Sequence, residues 1–219
     1  MEDVSHIKTT EQLSYCVLNQ TVAQVLHFID EHQIDINAYY FAPEGLPILS
    51  YCLKRKGTEC TQLLESLRAN GADPLNVSRG LGLNLLHSWV IFGQTPDFTV
   101  LKSFLGKNFK RYLNMRDKFG RTPLFLSYSL NSQDKTRVLL EYHPDLSLTY
   151  IRPAVDTLVP QSLEQIIKHL HSQSTHCSGP HNLILEYLQA QRIKEHKKKL
   201  EKIISPVPSP DKPGGQNKI

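Results

Sequence analysis

Three glycines at near-constant spacing constrain this chain most. Gly45, Gly82 and Gly120 stand 37 and 38 residues apart. Each opens a similar run: Gly45-Leu46-Pro47-Ile48-Leu49-Ser50, Gly82-Leu83-Asn84-Leu85-Leu86-His87 and Gly120-Arg121-Thr122-Pro123-Leu124-Phe125. Asn37, Asn76 and Asn114 keep the same rhythm ahead of each glycine. A period in this range means one small unit used several times, with no copy able to bury its apolar face alone. In the best-preserved copy Gly120 supplies positive φ, Thr122 offers an N-cap oxygen, and Pro123 sits where its missing N–H costs nothing. Leu124 begins an apolar face. Val138-Leu139-Leu140, followed by His143-Pro144-Asp145, gives a second short amphipathic helix and another turn. The unit is therefore turn, helix, helix, turn.

This pattern resembles the ankyrin repeat, through Asp117, Gly120, Thr122, Pro123, Leu124, Leu139, Leu140 and Asp145. Gly71-Ala72-Asp73 spells that family's end signal in full, and His87 occupies its histidine position, where the ring ties neighbouring turns together. The chain departs from the pattern at Phe125, where the family prefers His, and at His143-Pro144, where it prefers Gly-Ala. The resemblance implies an all-α, ankyrin-type helical solenoid of about four degenerate, lengthened repeats. Its units fall at approximately 11–37, 42–76, 79–114 and 117–148, within a stack covering 1–150. Both periods exceed the family's usual repeat of about 33 residues, which places loop insertions around Lys56-Gly57-Thr58 and Gly93-Gln94-Thr95-Pro96-Asp97.

Apolar periodicity predicts helix pairs over Glu11–Asn19 with Thr21–Glu31, Pro47–Lys56 with Glu59–Asn70, Asn84–Phe92 with Asp97–Leu105, and Thr122–Leu130 with Asp134–Tyr142. Residues 1–10 are expected to fray. The first pair reads as an N-terminal cap, with Glu11, Gln12, Ser14 and Asn19 on its outer side. Asn84 can cap its helix and Pro47 cannot, so the second unit has the least secure helix start. Residues 151–204 read as an irregular helical C-terminal cap. Thr149 to Val159 is an extended link, and Ser162 caps a helix reaching His171. A longer helix, His181–Ile204, docks through Leu183, Ile184, Tyr187 and Leu188, and its basic half from Arg192 enters solvent. Residues 205–219, with four prolines between 206 and 213, are expected to be a disordered tail.

The function classes narrow by composition. A hydrophobic fraction of 40% and a charged fraction of 21% read as a globular chain. No apolar run approaches the roughly 18 residues of a membrane span, and Met1-Glu2-Asp3-Val4-Ser5-His6 starts no classical signal peptide, so a cytoplasmic or nuclear home is expected. Cys16, Cys52, Cys60 and Cys177 lack zinc-type spacing and read as reduced, mostly packed thiols. The net charge of +4 belongs to the end of the chain. From Arg192 onward there are 8 Lys or Arg against 3 acids, which leaves 17 against 18 before it. A phosphate-binding groove in the repeat region is therefore not expected. His169, His171, His176, Cys177 and His181 cluster in sequence, but His-x-His on a helix turns its rings about 200° apart, so a solvated loop is expected and no metal site. There is no nucleophile elbow, phosphate loop or zinc-protease signature, hence no catalytic residue, cofactor or small-molecule substrate is assigned.

Function is then sought on the groove. The resemblance places Pro43, Glu44, Leu46, Lys54 and Arg55 there, then Gly80, Leu81, Leu83, Ile91 and Phe92, then Lys118, Phe119, Arg121, Ser129 and Leu130. Solvated tips are ordinarily polar, so Leu81, Leu83, Phe92 and Phe119 point to a contact, and Arg116, Lys118 and Arg121 give it a basic rim. The expected function is a non-enzymatic protein–protein interaction module: a monomeric scaffold, adaptor, inhibitor or host-directed effector. It would grip an acidic or amphipathic segment of another protein through Leu81, Leu83, Phe92, Arg116, Lys118, Phe119, Arg121, Lys54 and Arg55. The alternative is a nuclear or nucleic-acid-associated regulator using the Lys-rich C-terminal helix. Ser209-Pro210-Asp211-Lys212 resembles a proline-directed kinase site, and Ser205-Pro206 is a weaker one.

Overall fold

A computed structural model describes residues 4–56, 59–94, 97–150, 161–173 and 179–204. The chain is mostly helical. Its helices are α1 (Val4–Asn19), α2 (Val22–Glu31), α3 (Ile48–Cys52), α4 (Glu59–Ala69), α5 (Leu85–Phe92), α6 (Asp97–Leu105), α7 (Phe109–Leu113), α8 (Pro123–Ser129), α9 (Gln133–Leu140), α10 (Leu163–Gln173) and α11 (Gly179–Ile204). Among the described residues there are also two short antiparallel pairings: β1 (Tyr40–Phe41) with β2 (Leu46–Pro47), and β3 (Thr149–Tyr150) with β4 (Gln161–Ser162).

The helices pair in order, α1 with α2, α3 with α4, α5 with α6 and α8 with α9. Each first helix packs on the next, α1 on α3, α3 on α5 and α5 on α8, while α2 packs on α4 and α4 on α6. Buried Leu13, Val17, Leu49, Leu53, Leu63, Leu67, Leu86, Trp89, Leu101, Leu124 and Leu139 belong to one continuous core through these contacts. Helices of five to eleven residues, such as α3 and α4, cannot persist in water alone, so this packing is what holds them.

The same backbone devices recur along the chain. Gly45, Gly82 and Gly120 all adopt positive φ, at 63°, 68° and 77°, a region that costs other residues dearly. Around them Tyr40 and Phe41 pair with Pro47 and Leu46, Ser78 N–H donates to Leu83 O, and Asp117 N–H donates to Arg121 O. Successive bends are joined directly: Arg79 N–H donates to Gly45 O, and Lys118 N–H to Leu81 O, each at 2.9 Å. Gly80 permits the approach, because a Cβ there would lie 2.8 Å from Glu44 O.

The far ends of the second helices repeat as well. Gln33, Gly71 and His143 take the left-handed conformation that ends a helix, followed by Asp35, Asp73 and Asp145. Each of these carboxylates accepts the backbone N–H two residues on, at 2.9 to 3.0 Å, which makes an Asx turn. Asn37 and Asn114 then accept from the N–H of Asp73 and Asp145, each at 2.8 Å, linking one turn to the next. Two of the three spaced asparagines, Asn37 and Asn114, thus cross-link one turn to the next, whereas Asn76 reaches back to Asn37 Oδ1 at 3.5 Å.

Several expectations need correction. Helix α1 starts at Val4, inside the stretch 1–10 that was expected to fray. The Ser14 hydroxyl does not face outward; it hydrogen-bonds the Tyr51 hydroxyl of α3. Helix α3 stops at Cys52, well short of Lys56. A 3-10 turn, Gly106–Asn108, and α7 form an additional element after α6 that periodicity did not reveal. The addition has a packing role: Phe98, Phe109 and Tyr142 form an aromatic cluster, with centroids 5.2 to 6.0 Å apart, that carries the core from α6 to the end of α9.

At the C-terminal end Ser162 N–H donates to Gln165 Oε1 and Ser162 Oγ accepts Gln165 N–H, a reciprocal cap that starts α10. Helix α11 packs on α9, α8 and α10 through buried His181 and Ile184 and half-buried Leu183, Tyr187 and Leu188. From Arg192 to Glu201 it is exposed. Of the predicted link Thr149 to Val159 only Thr149 and Tyr150 are described, as β3; its remainder, the tail with Ser205 and Ser209, the side chains of His169 and His171, and His176 and Cys177 lie outside the described residues.

Candidate functional site

The predicted groove residues separate into three groups. Leu46 and Leu83 are fully buried, and Arg55 is 8% exposed, so none of them can meet a partner. Leu83 follows the αL glycine, and its N–H donates to the buried Ser78 Oγ at 2.9 Å, which turns the side chain into the core. Arg55 sits where it does because α1 ends beside it: Nη1 donates to Val17 O at 3.2 Å and Gln20 O at 2.5 Å, and Nη2 meets Glu59. Those carbonyls are the orphan acceptors of a helix C-terminus, and a cation suits that negative end.

Two lysines do the same job elsewhere. Lys135 Nζ donates to Val90 O of α5 at 2.7 Å, and Lys110 Nζ to Tyr142 O and His143 O just past α9. Burial pushes the Lys135 ammonium down, with Asp97 opposing the shift. Sequence reasoning missed this use of cations. Its only signal is the spacing of a basic residue from the next helix end, which cannot be read without the packing.

The second group is partly engaged. Lys54 donates to Glu44 at 3.0 Å, and its ammonium lies 5.1 Å from the Tyr51 ring centroid and 4.8 Å from that of Phe92. It bridges α3 to α5 and covers part of the Phe92 ring. Leu81 and Ile91 are half-buried against the core. Arg121 holds Asp117 through Nε at 2.7 Å, and the Asp117 carboxylate, fully buried, also accepts the N–H groups of Phe119 and Arg121. This carboxylate shapes the bend and offers no negative charge to solvent.

The third group is open. Phe119 is 46% exposed and Leu130, at the end of α8, is 52% exposed. Arg79, Arg116 and Lys118 are exposed at neighbouring bends. The Arg79 guanidinium lies 3.9 Å over the Tyr40 ring, and Lys118 Nζ donates to Arg79 O at 2.7 Å, so cations follow the row of bends from one to the next. The Arg121 guanidinium lies 4.8 Å from the Phe119 ring centroid. An exposed aromatic ring next to cations, with Asp117 buried and Glu44 paired to Lys54, can take an apolar side chain flanked by carboxylates.

His87 is fully buried and structural. Its Nδ1 accepts Asn84 N–H at 3.3 Å and its Nε2 donates to Arg121 O at 2.8 Å, which ties two bends together. Burial lowers its pKa to about 4, so the ring is neutral near pH 7. His181 is 3% exposed beside the Tyr128 ring and does not belong to a solvated loop, which corrects that expectation for the one cluster member whose side chain is described. Among the described residues no group of three or more His, Cys, Asp or Glu could hold a metal ion. Cys16, Cys52 and Cys60 are free, and burial pushes the Cys60 thiol up to about 12. An open groove of about 550 Å³ lies along α1 and α2, lined by Tyr15, Cys16 and Phe28 together with Glu11, His27 and Glu31. Among the described residues no helix is long and apolar enough to cross a membrane. No protein-family model matches the chain, and no curated protein matches it.

Proposed function

We propose that this chain is an ankyrin-type helical solenoid that binds another protein through its row of bends. Support for the architecture comes from the three αL glycines, the two backbone links between successive bends, and the recurring Asx turns joined by Asn37 and Asn114. The observation that carries the function is the open Phe119 ring at the Gly120 bend, next to exposed Lys118, which itself reaches Arg79 O, with a second open apolar side chain, Leu130, at the other end of α8. A stack of this kind holds a rigid surface toward a partner. The partner is an acidic or amphipathic segment, met in a reducing cytoplasmic or nuclear compartment in keeping with the free cysteines.

Phe119→Ser with Leu130→Ser tests this, because both side chains are exposed and the fold should survive. Affinity capture with the wild type should recover a protein that the double variant loses, while both unfold at the same denaturant concentration. Identical capture by the two would remove the reading. The alternative, nucleic-acid binding by the exposed basic half of α11, predicts a steep fall of affinity with salt, which contact through Phe119 and Leu130 does not.

A further inference from the structure

The exposed half of α11 carries a pattern that the row of bends does not explain. Ile193 and Leu200 are 69% and 56% exposed. Seven residues apart, they project from one side of the helix, about 20° from each other. Ile184, nine residues before Ile193, lies on the opposite side and is fully buried in the body. The exposed stripe is therefore not a continuation of the docked face, and it points away from the protein. His196 completes a spacing of three then four, which the sequence repeats at Ile203.

With Ile193 and Leu200 at the a positions and His196 at d, the flanking e and g positions are Arg192, Lys197 and Lys199, all basic and all exposed. Glu195 and Glu201 fall at c and b, away from the stripe. We propose that this face is one half of a coiled coil whose other half is an acidic amphipathic helix of another protein. Ile193, His196 and Leu200 pack against its seam, and Arg192, Lys197 and Lys199 pair with carboxylates beside it.

The charges and the width of the stripe select this occupant. A second copy would set the three flanking cations against their own kind. Nucleic acid would use the cations and leave Ile193 and Leu200 idle. A bilayer takes an apolar arc of roughly 100° or more, whereas here His196 and Lys197 intrude within about 60° of Ile193. A narrow apolar seam with uniform flanks is what a partner helix reads.

The test uses the full chain and does not depend on the row of bends. The probes are a synthetic heptad peptide with Leu and Ile at its a and d positions and Glu at e and g, the same peptide with Lys at e and g, phosphatidylserine vesicles, and a short DNA duplex. The Glu-flanked peptide should bind and the Lys-flanked one should not. Ile193→Ser with Leu200→Ser should weaken binding at least about tenfold at an unchanged unfolding midpoint. Lys197→Glu with Lys199→Glu should reverse the choice of peptide. The proposal is overturned if the Glu-flanked peptide fails to bind, if the serine variant binds it equally, if vesicles or DNA bind through these residues in its place, or if the chain dimerises through this face in sedimentation. Loss of partner capture in the Phe119/Leu130 variant alone would leave this peptide binding unchanged, so the two readings fail separately.

Discussion

The joint between α3 and α5 and the joint between α5 and α8 begin from the same bend and end differently. At the second joint Asn84 caps α5 through the N–H groups of Leu86 and His87, its Nδ2 donates to Tyr112 O, and His87 reaches Arg121 O. At the first joint Pro47 stands in place of Asn84, with no side-chain cap, and Ser50 stands in place of His87. The buried Ser50 Oγ has no hydrogen-bond partner among the described residues. Helix α5 runs eight residues and α3 only five, although both are almost wholly buried. Burial alone therefore does not set helix length here. Both helices start at the residue after the N-cap position, Ile48 and Leu85, and what the polar side chains at Asn84 and His87 add is partners for N-terminal donors that α3 leaves without a side-chain cap.

Acidification should affect the second joint most. The folded pKa of His87, about 4, lies below its unfolded value of roughly 6.5, so the unfolded chain takes up the proton first. The contribution is fully present above about pH 6.5 and is lost as pH falls toward 4, by about 3 kcal/mol. Denaturant unfolding across that range should show a steeper loss for the wild type than for His87→Gln, which does not titrate. Equal slopes would mean that the ring is not buried as a neutral tie.

Asn84→Ala should cost about 2 kcal/mol, since it removes a cap and a buried bond to Tyr112 O. Thr122→Ala, which removes a single cap bond to Phe125 N–H, should cost about 1 kcal/mol. The reverse change sharpens the comparison: Pro47→Asn should stabilise by about 0.5 kcal/mol, because Pro47 already has the extended N-cap backbone, φ −66° and ψ 159°. The smallest effect is expected of Ser50→Ala, within about 0.5 kcal/mol and toward greater stability, because it removes a buried hydroxyl that has no partner among the described residues. A loss of stability there would give Ser50 a role that its surroundings do not.

The spacing was legible because Gly45, Gly82 and Gly120 mark backbone geometry directly, and Pro47, Asn84 and Thr122 showed which helix starts carry a side-chain cap, but the early end of α3 at Cys52 was not foreseen. What stayed hidden depended on packing across units. Leu83 looks like a tip residue in sequence, yet the bend turns it inward, and Arg55 reads as a groove cation until α1 ends beside it. Helix α7 escaped notice because Phe109, Tyr112 and Leu113 make too short a run for periodicity to register. Of the candidate face, Phe119, Leu130, Arg116 and Lys118 stay open, while Lys54, Arg121, Leu81 and Phe92 are partly committed to holding the bends together.

The most direct measurement is amide hydrogen exchange at Arg79 and Lys118 in the native protein. Both N–H groups donate to the preceding bend, to Gly45 O and Leu81 O, so nothing within their own unit explains protection. We expect both to exchange far more slowly than neighbouring loop amides, with protection that falls at both positions when Gly82→Val disturbs the bend between them. Exchange at the rate of an open loop in the wild type would contradict a row of bends held one against the next.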